Sequence, residues 1–159
     1  MPEFPTERSP GGRRFAIAVA RFNSMVTERL LAGARQAFEE NGVAEDSLDI
    51  AWVPGSWELP VVAQRLAQSG MYGAIVCLGA VIQGETAHFE HVAREAAAGI
   101  AQVSRETGVP ILFGVLTTYK LEDAMARAGG KHGNKGYEAA QAALEMANLL
   151  ARLPRPEGN

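Results

Sequence analysis

Four short apolar runs alternate with longer amphipathic segments along the chain. In the first long segment, residues 24–42, Val26 and Leu30 recur at helical spacing on one face, which predicts an α-helix. Ser24 is its predicted N-terminal cap and Gly42 its predicted end. The apolar runs have the length of buried strands and are RFAIAVA (14–20), SLDIAWVPG (47–55), YGAIVCLGAVI (72–82) and VPILFGVLT (109–117).

The alternation of strands with helices is typical of a parallel sheet that is covered on both faces. It predicts one α/β domain with a flavodoxin-like, three-layer fold and a four-stranded parallel sheet. Whether the N-terminal segment pairs with a neighbouring subunit stays open. Residues 1–13 are rich in Pro, Gly, Ser and Glu, and we expect a flexible tail there, ahead of a domain at 14–153. The other predicted helices span 56–70, 88–108, 121–130 and 134–153.

Composition and charge limit the kinds of molecule that the protein is expected to bind. The 159 residues are 47% hydrophobic and 21% charged, as in an ordinary globular domain. A net charge of -3 gives no reason to expect nucleic acid or an anionic membrane as a partner. No apolar run approaches the ~20 residues of a membrane span, and the N-terminus has no secretory signal pattern. We therefore expect a cytoplasmic protein that acts on small molecules, with the single cysteine, Cys77, as a buried residue rather than a nucleophile.

In parallel α/β sheets, ligands bind beyond the carboxyl ends of the strands, so the loops there hold the candidate chemistry. After the third strand, Gly84 lets the backbone fold around a ligand, and the first N–H groups of the next helix favour an anion. Thr86 is either a helix cap or a phosphate ligand, and the charge of Glu85 opposes an anion unless its side chain turns away. An ordinary capped glycine turn explains the same residues.

Two histidines stand at the start of the third long helix. His88 lies in its first turn, and an imidazole is suited to proton transfer near neutral pH, although a structural role fits the position equally well. His91 and Glu95 follow on the same face, at a spacing that some metal sites use. Because no further ligand set accompanies them, we expect no metal and interpret His91 as a surface or interface residue.

A basic, glycine-rich segment, ARAGGKHGNKGYE (126–138), lacks the Ser or Thr that ends a Walker phosphate loop. It carries Arg127, Lys131, His132 and Lys135. A planar guanidinium such as that of Arg127 suits a phosphate, and a solvated connection between helices is the alternative.

Aromatic side chains occur in two of the loops. Phe22 follows the first strand and Trp57 the second, where an aromatic ring either joins the core or stacks on a flat heterocycle. Ser56 and Glu58, on either side of Trp57, are able to bind the hydroxyl groups of a sugar. Phe113 lies within the fourth strand and belongs to the core on pattern alone.

Five segments together resemble the 6,7-dimethyl-8-ribityllumazine synthases, which catalyse the penultimate step of riboflavin biosynthesis. They are ARFNSMVTERLLAGA, DIAWVPGSWELP, LGAVIQGETAHFEHVAREAAAGI, VPILFGVLTT and ARAGGKHGNKGYEAAQAALEMANL, and the resemblance runs from about Arg14 to Leu150. It implies a transferase that condenses 5-amino-6-(D-ribitylamino)uracil with 3,4-dihydroxy-2-butanone 4-phosphate to 6,7-dimethyl-8-ribityllumazine. Phosphate and water are released, and neither a cofactor nor a metal is required.

The resemblance also implies roles for individual residues. His88 is the implied proton-transfer residue. Contacts to the substrate ring and ribityl chain are implied for Phe22, Ser56, Trp57, Glu58, Val81, Ile82, Phe113, Lys135 and Glu138. Phosphate contacts are implied for Gly84, Glu85 (through its N–H) and Thr86, joined by Arg127 from a neighbouring subunit. Phe113 is implied to close the pocket from the neighbour's side. Three residues depart from the family pattern, namely Gln83, where many members carry a basic residue, and Tyr119 and Lys120 after the fourth strand.

Members of this family form homopentamers with active sites shared between neighbours, so the resemblance implies a homopentamer here. The short linker GGKHGNKG is similar to that of members whose pentamers close into an icosahedral 60-mer, a capsid that encloses riboflavin synthase. Free pentamer, decamer and capsid all stay open. Two other functions fit the sequence, a flavin- or lumazine-binding storage shell and a phosphate-binding flavodoxin-like module. His88 and Arg127 together favour the enzyme, because a pure binding protein needs no base.

Overall fold

A four-stranded parallel sheet with helices on both faces forms the protein. The computed structural model describes residues 1–157, and its sheet has the strand order β2-β1-β3-β4, which confirms the predicted class. Within these residues no helix is both long and apolar enough to cross a lipid bilayer. The strands are β1 (Arg14–Ala20), β2 (Leu48–Val53), β3 (Tyr72–Ile82) and β4 (Ile111–Thr118), and the helices are α1 (Ser24–Glu40), α2 (Leu59–Gln68), α3 (His88–Thr107), α4 (Leu121–Ala126) and α5 (Lys135–Arg152).

The sheet has a core on each face, because successive side chains of a strand point to opposite sides. Phe15 and Ile17 pack with α1 and α5, whereas Ala16 and Ala18 pack with α2 and α3. Cys77 lies in the second core, as predicted. Burial raises the pKa of its thiol to about 12, so the thiol stays protonated and inert.

Helices α1 and α5 cross closely and thereby fix the segment just before α5. A Cβ atom at Gly136 would lie 2.0 Å from the carbonyl oxygen of Leu30, so this position has no room for a side chain. The side-chain oxygen of Asn134 caps α5 by accepting hydrogen bonds from the N–H groups of Gly136 at 2.8 Å and Tyr137 at 3.0 Å. Its amide donates to the carbonyl of Arg29 at 3.0 Å, which joins the start of α5 to α1.

The glycine-rich segment before α5 differs from the prediction. The helix predicted over 121–130 ends at Ala126, and a two-stranded hairpin comes next, formed by β5 (Ala128–Gly130) and β6 (Gly133–Asn134). Gly129 has a φ of 99°, a value that ends a right-handed helix and that glycine adopts without strain.

The starts of two helices also need correction. Asn23, rather than Ser24, is the residue at the N-terminal cap of α1, and it has φ 63° and ψ 45° with no side-chain capping bond. A short 3-10 turn occupies Ser56–Glu58, and α2 begins only at Leu59. Both differences lie at the carboxyl ends of strands, where the candidate chemistry was predicted.

The first ten residues form no helix or strand, but part of this segment is fixed to α5. The buried amide of Asn148 donates hydrogen bonds to the carbonyls of Glu7 at 3.0 Å and Ser9 at 2.8 Å. The guanidinium of Arg13 in turn donates to the side-chain oxygen of Asn148 at 2.9 Å. The division into a tail at 1–13 and a domain stays a prediction.

Candidate active site

A cavity of about 760 Å³ opens at the carboxyl ends of β1, β2 and β3. Its wall consists of the loops after these strands and the first two turns of α3. This is the edge of the sheet at which a ligand was predicted. The predicted site residues that line it are Phe22, Ser56, Trp57, Glu58, Val81, Ile82, Gly84, Thr86 and His88.

Both loop aromatics lie on the cavity wall rather than in the core. Phe22 is 72% exposed and Trp57 is 55% exposed, so the alternative of core rings does not hold for this chain. The N–H of Phe22 donates to the carbonyl of Pro54 at 3.0 Å, which fastens the loop after β1 to the end of β2. Two aromatic surfaces are therefore available to a flat ligand.

The polar part of this wall comes from the 3-10 turn before α2. Ser56 is only 5% exposed, and a Cβ atom at Gly79 would lie 2.3 Å from its hydroxyl oxygen, so that oxygen lies against the backbone of β3. Glu58 is half-buried and supplies the carboxylate of the wall. Of the two residues, Glu58 is thus the better placed to bind hydroxyl groups through its side chain.

The turn between β3 and α3, residues 83–87, is exposed along its whole length. A Cβ atom at Gly84 would meet nothing within 4 Å, so the chain itself does not require glycine here. Thr86 accepts a hydrogen bond from the N–H of His88 at 3.4 Å, and the helix that begins at His88 has no side-chain cap. The open space and the uncapped start of a 20-residue helix suit an anion. Glu85 lies in the same turn but outside the cavity wall.

Among residues 1–157, no lysine or arginine lines this cavity. Its titratable side chains are Glu58, His88 and His91, so the wall carries no permanent positive charge. His91 was predicted to be a surface or interface residue, and it is exposed, but on the same wall as His88. In residues 1–157, no three His, Cys, Asp or Glu side chains are grouped in a way that could hold a metal ion.

A second cavity, of about 660 Å³, lies along the carboxyl half of β4 and contains other predicted site residues. Phe113, Arg127 and Lys135 line it. Phe113 is 47% exposed, so its assignment to the core was wrong; β4 is an edge strand of the sheet. Arg127 donates to the carbonyl of Asp123 at 2.9 Å, and Lys135 lies 3.6 Å from Glu138. The predicted site residues thus form two groups on one chain.

The walls of the two cavities touch through a pair of aromatic rings. Phe89 of the first wall and Tyr119 of the second have ring centroids 6.2 Å apart. The N–H of Gln83 donates to the carbonyl of Thr118 at 3.0 Å, beside this pair. The turn that precedes α3 is therefore supported from the end of β4.

Seven residues that line the first cavity were not among the predicted site residues, and three of them, Asn23, Phe89 and His91, have polar or aromatic side chains. The spacing of His88 and His91 did predict that both lie on one helix face. This spacing was the sequence signal from which His91 could have been assigned to the site. Asn23 and Phe89 have no such local signal, because their positions depend on contacts with distant strands.

Known proteins are similar to this chain over nearly its whole length. The profile of the 6,7-dimethyl-8-ribityllumazine synthase family matches residues 12–151. A 6,7-dimethyl-8-ribityllumazine synthase of Xanthomonas oryzae pv. oryzae (strain PXO99A) is 53% identical over 154 residues, which cover 97% of this chain and 100% of the relative. That of Xanthomonas euvesicatoria pv. vesicatoria (strain 85-10) is 52% identical with the same coverage.

Proposed function

The chain belongs to the 6,7-dimethyl-8-ribityllumazine synthase family, and on that premise we propose how its two cavities take part in the reaction. The enzyme condenses 5-amino-6-(D-ribitylamino)uracil with 3,4-dihydroxy-2-butanone 4-phosphate, here called butanone phosphate, to 6,7-dimethyl-8-ribityllumazine. Phosphate and water are released, in the biosynthesis of riboflavin. No cofactor or metal takes part in the steps that we propose.

The pyrimidine binds in the first cavity, against its aromatic wall. Phe22 stacks on the ring, Trp57 lines the same space, and backbone groups of Val81 and Ile82 bind the polar edge of the ring. The exposure of both aromatic rings supports this assignment, because a core residue is not free to stack on a ligand. The ribityl chain extends along Ser56 and Glu58, where the Glu58 carboxylate accepts hydrogen bonds from its hydroxyl groups.

The phosphate of the second substrate binds at the turn before α3. The backbone N–H groups of Gly84, Glu85 and Thr86, together with the uncapped start of the helix, favour an anion. The wall carries no permanent cation of its own, and a phosphate dianion is bound more tightly with one. Arg127 of a neighbouring subunit supplies it, because in its own chain this residue lines the other cavity.

His88 moves protons in this arrangement. The 5-amino group of the pyrimidine attacks the ketone, and loss of water gives an imine. Removal of a proton from carbon then lets phosphate leave with its bonding electron pair as an enol forms. Protonation of the enol at its terminal carbon gives a methyl group and a second carbonyl. The ribitylamino nitrogen attacks this carbonyl, and loss of water closes the ring. His88 comes directly after the phosphate turn and accepts the carbon proton, while the fixed positions of the two substrates supply much of the rate.

A complete site requires two subunits, with Phe113, Lys135 and Glu138 of the neighbour as its far wall. The observation that carries this proposal is the separation of the predicted site residues into two cavities on one chain. A ring of five subunits repeats the pairing of first and second cavity around a closed circle. We propose a cytoplasmic homopentamer. Because Glu7 and Ser9 are bonded to α5 of their own chain, only the residues before Glu7 are free to pair with a neighbouring subunit. Light scattering distinguishes free pentamers and decamers from the third alternative, an icosahedral capsid around riboflavin synthase.

Mixed pentamers test whether sites are shared. Arg127→Ala should raise the KM for butanone phosphate, and His88→Ala should lower kcat, with neither variant losing the pentamer in size-exclusion chromatography. When the two variants are unfolded and refolded together in equal amounts, about one quarter of the sites contain both intact residues if each site joins two chains. Activity should then rise well above the mean of the separately refolded variants. A metal chelator is present throughout, so product formation also tests the absence of a metal.

The result that contradicts the shared site is a mixture whose activity equals the mean of the two parents. Mass spectrometry of the intact assembly confirms that subunits of both kinds have mixed. An equal mixture of wild-type chain with the double variant, His88→Ala with Arg127→Ala, is the control. It has the same number of altered residues, and about one quarter of its sites pair two intact chains.

A further inference from the structure

Asn23 has a backbone conformation that no other non-glycine residue shares within residues 1–157. Its φ of 63° is the single positive φ there outside glycine. This left-handed conformation is unfavourable for most side chains, and asparagine is among those that tolerate it best. The residue stands between Phe22 and the first residue of α1, and it lines the first cavity. Uncommon backbone conformations of this kind cluster at functional sites, where the surrounding structure holds them in place.

The side chain of Asn23 joins two walls of the cavity. Its amide donates a hydrogen bond to the carbonyl of Ala80 at 2.7 Å, across 57 positions of sequence. The backbone carbonyl of Asn23 accepts from the N–H groups of Val26 at 2.9 Å and Thr27 at 3.0 Å, which starts α1. Its backbone therefore sets the direction of the helix, and its side chain is left to hold the end of β3.

The bond to Ala80 lies just beyond the end of the pairing between β1 and β3. That pairing runs in register as far as Val19 and Leu78, after which β1 ends and the chain turns away. Ala80 lies two residues beyond Leu78 in β3, so its carbonyl has no partner from β1 in the ladder. The amide of Asn23 takes the place of that partner and so extends the connection between the two strands by one hydrogen bond.

We propose that Asn23 is a positioning residue for the pyrimidine subsite. It holds the loop that carries Phe22 at a fixed separation from the backbone of Ala80 to Ile82. These are the stacking wall and the polar-edge wall of the proposed function, on which this inference rests. A pyrimidine between two walls binds more tightly when their separation is fixed beforehand, because no binding energy is then spent on selecting the right arrangement. The phosphate turn after Gln83 lies outside this connection.

Two substitutions and a matched control test the role. Asn23→Asp keeps the shape and the tolerance for a positive φ, but turns a carboxylate oxygen toward the carbonyl of Ala80. Asn23→Gly keeps the backbone conformation and removes the hydrogen bond alone. Asn41→Asp is the control, since the amide of Asn41 also donates to a backbone carbonyl at 2.7 Å, that of Ala37, at the far end of α1.

The KM for each substrate, kcat and the melting temperature are measured for every variant. We expect the pyrimidine KM to rise about threefold to tenfold for Asn23→Gly and further for Asn23→Asp, with the KM for butanone phosphate within about twofold of wild type. Asn41→Asp should lower the melting temperature without changing either KM. The inference is overturned if both KM values rise together at Asn23, or if only the melting temperature falls, because a merely structural residue gives those results.

Phe22→Ala separates this inference from the proposed function. If it raises the pyrimidine KM while the Asn23 variants do not, the subsite stands and the role of Asn23 is rejected. If Phe22→Ala leaves the pyrimidine KM unchanged, the assignment of the subsite is wrong, and the role of Asn23 is rejected with it.

Discussion

One added methyl group should lower the stability of the protein at one glycine, Gly136, and weaken substrate binding at another, Gly84. At Gly136, a Cβ atom would lie 2.0 Å from the carbonyl oxygen of Leu30 and 2.7 Å from its carbonyl carbon. Ordinary contacts of such an atom begin near 3.4 Å, so α1 and α5 must move apart by roughly 1.4 Å, the difference between 3.4 Å and 2.0 Å. The obstacle is backbone within a helix, which cannot turn aside as the end of a long side chain can.

The magnitude results from two opposing effects at Gly136. Alanine is the better helix former by about 1 kcal/mol. Overpacking costs about 1–3 kcal/mol, and the upper end or more applies where backbone has to move. We therefore expect Gly136→Ala to lower the free energy of unfolding by about 2 kcal/mol. For a chain of this size that corresponds to a fall in melting temperature of about 4–8 °C.

Gly84→Ala is the matched substitution with no steric obstacle, because a Cβ atom there would meet nothing within 4 Å. We expect its stability to stay within about 0.5 kcal/mol of wild type. The methyl group would instead occupy space beside the turn in which we propose that the phosphate binds. The KM for butanone phosphate should therefore rise several-fold. Calorimetry at equal protein concentration and steady-state kinetics measure the two effects.

Each glycine has its own refuting result. A melting temperature of Gly136→Ala equal to that of wild type would show that α1 and α5 leave room for a methyl group where they cross. A wild-type KM in a normally folded Gly84→Ala variant would remove the turn before α3 from phosphate binding.

Two further predictions concern contacts outside these glycines. Hydrogen bonds from Tyr72 and then from Arg14 hold the pKa of Asp49 below its ordinary value, so its contribution to stability is present at neutral pH and is lost as the pH falls below about 4. Asp49→Asn should accordingly lower the melting temperature at pH 7 and leave it nearer to wild type at pH 3; equal losses at both pH values would contradict this. Tyr119→Ala removes the ring that contacts Phe89 and should raise the KM for butanone phosphate, while Tyr119→Phe keeps the contact and the wild-type KM. Identical kinetics of the two Tyr119 variants would refute a supporting role for that ring.

Strands with two buried faces were predicted closely from the sequence. The bounds of β1 and β3 agree with the predicted 14–20 and 72–82, because a central strand of a parallel sheet is apolar from end to end. Phe113 was misplaced for the same reason, since an apolar run does not reveal that its strand lies at the edge of the sheet. The hairpin after α4 was missed because glycines indicate that a helix breaks without indicating which structure the chain adopts beyond the break.

From the residues alone the candidate site was predicted as a set of residues; only the family resemblance implied that Arg127 and Phe113 come from a neighbouring subunit. The rule that ligands bind at the carboxyl ends of strands selected the right loops. The separation into two cavities depends on the strand order, which puts the loops of β1 and β2 on one side and the carboxyl half of β4 on the other. Asn23 could not be selected, because its distinguishing contact is with Ala80 on another strand and no local pattern encodes it.

Because the N-terminal segment is bonded to α5, a domain fused to the N-terminus could lie only a short distance from that helix. Asn148 is buried and holds the carbonyl of Glu7, so only the six residues before Glu7 are left as a connector. Six residues span at most about 20 Å when fully extended. A fluorescent protein or an antigen fused ahead of residue 1 would thus be displayed close to the last turns of α5, on every copy alike. A longer reach would require an inserted linker, and trimming past Glu7 would remove one of the three carbonyls that accept hydrogen bonds from the buried amide of Asn148.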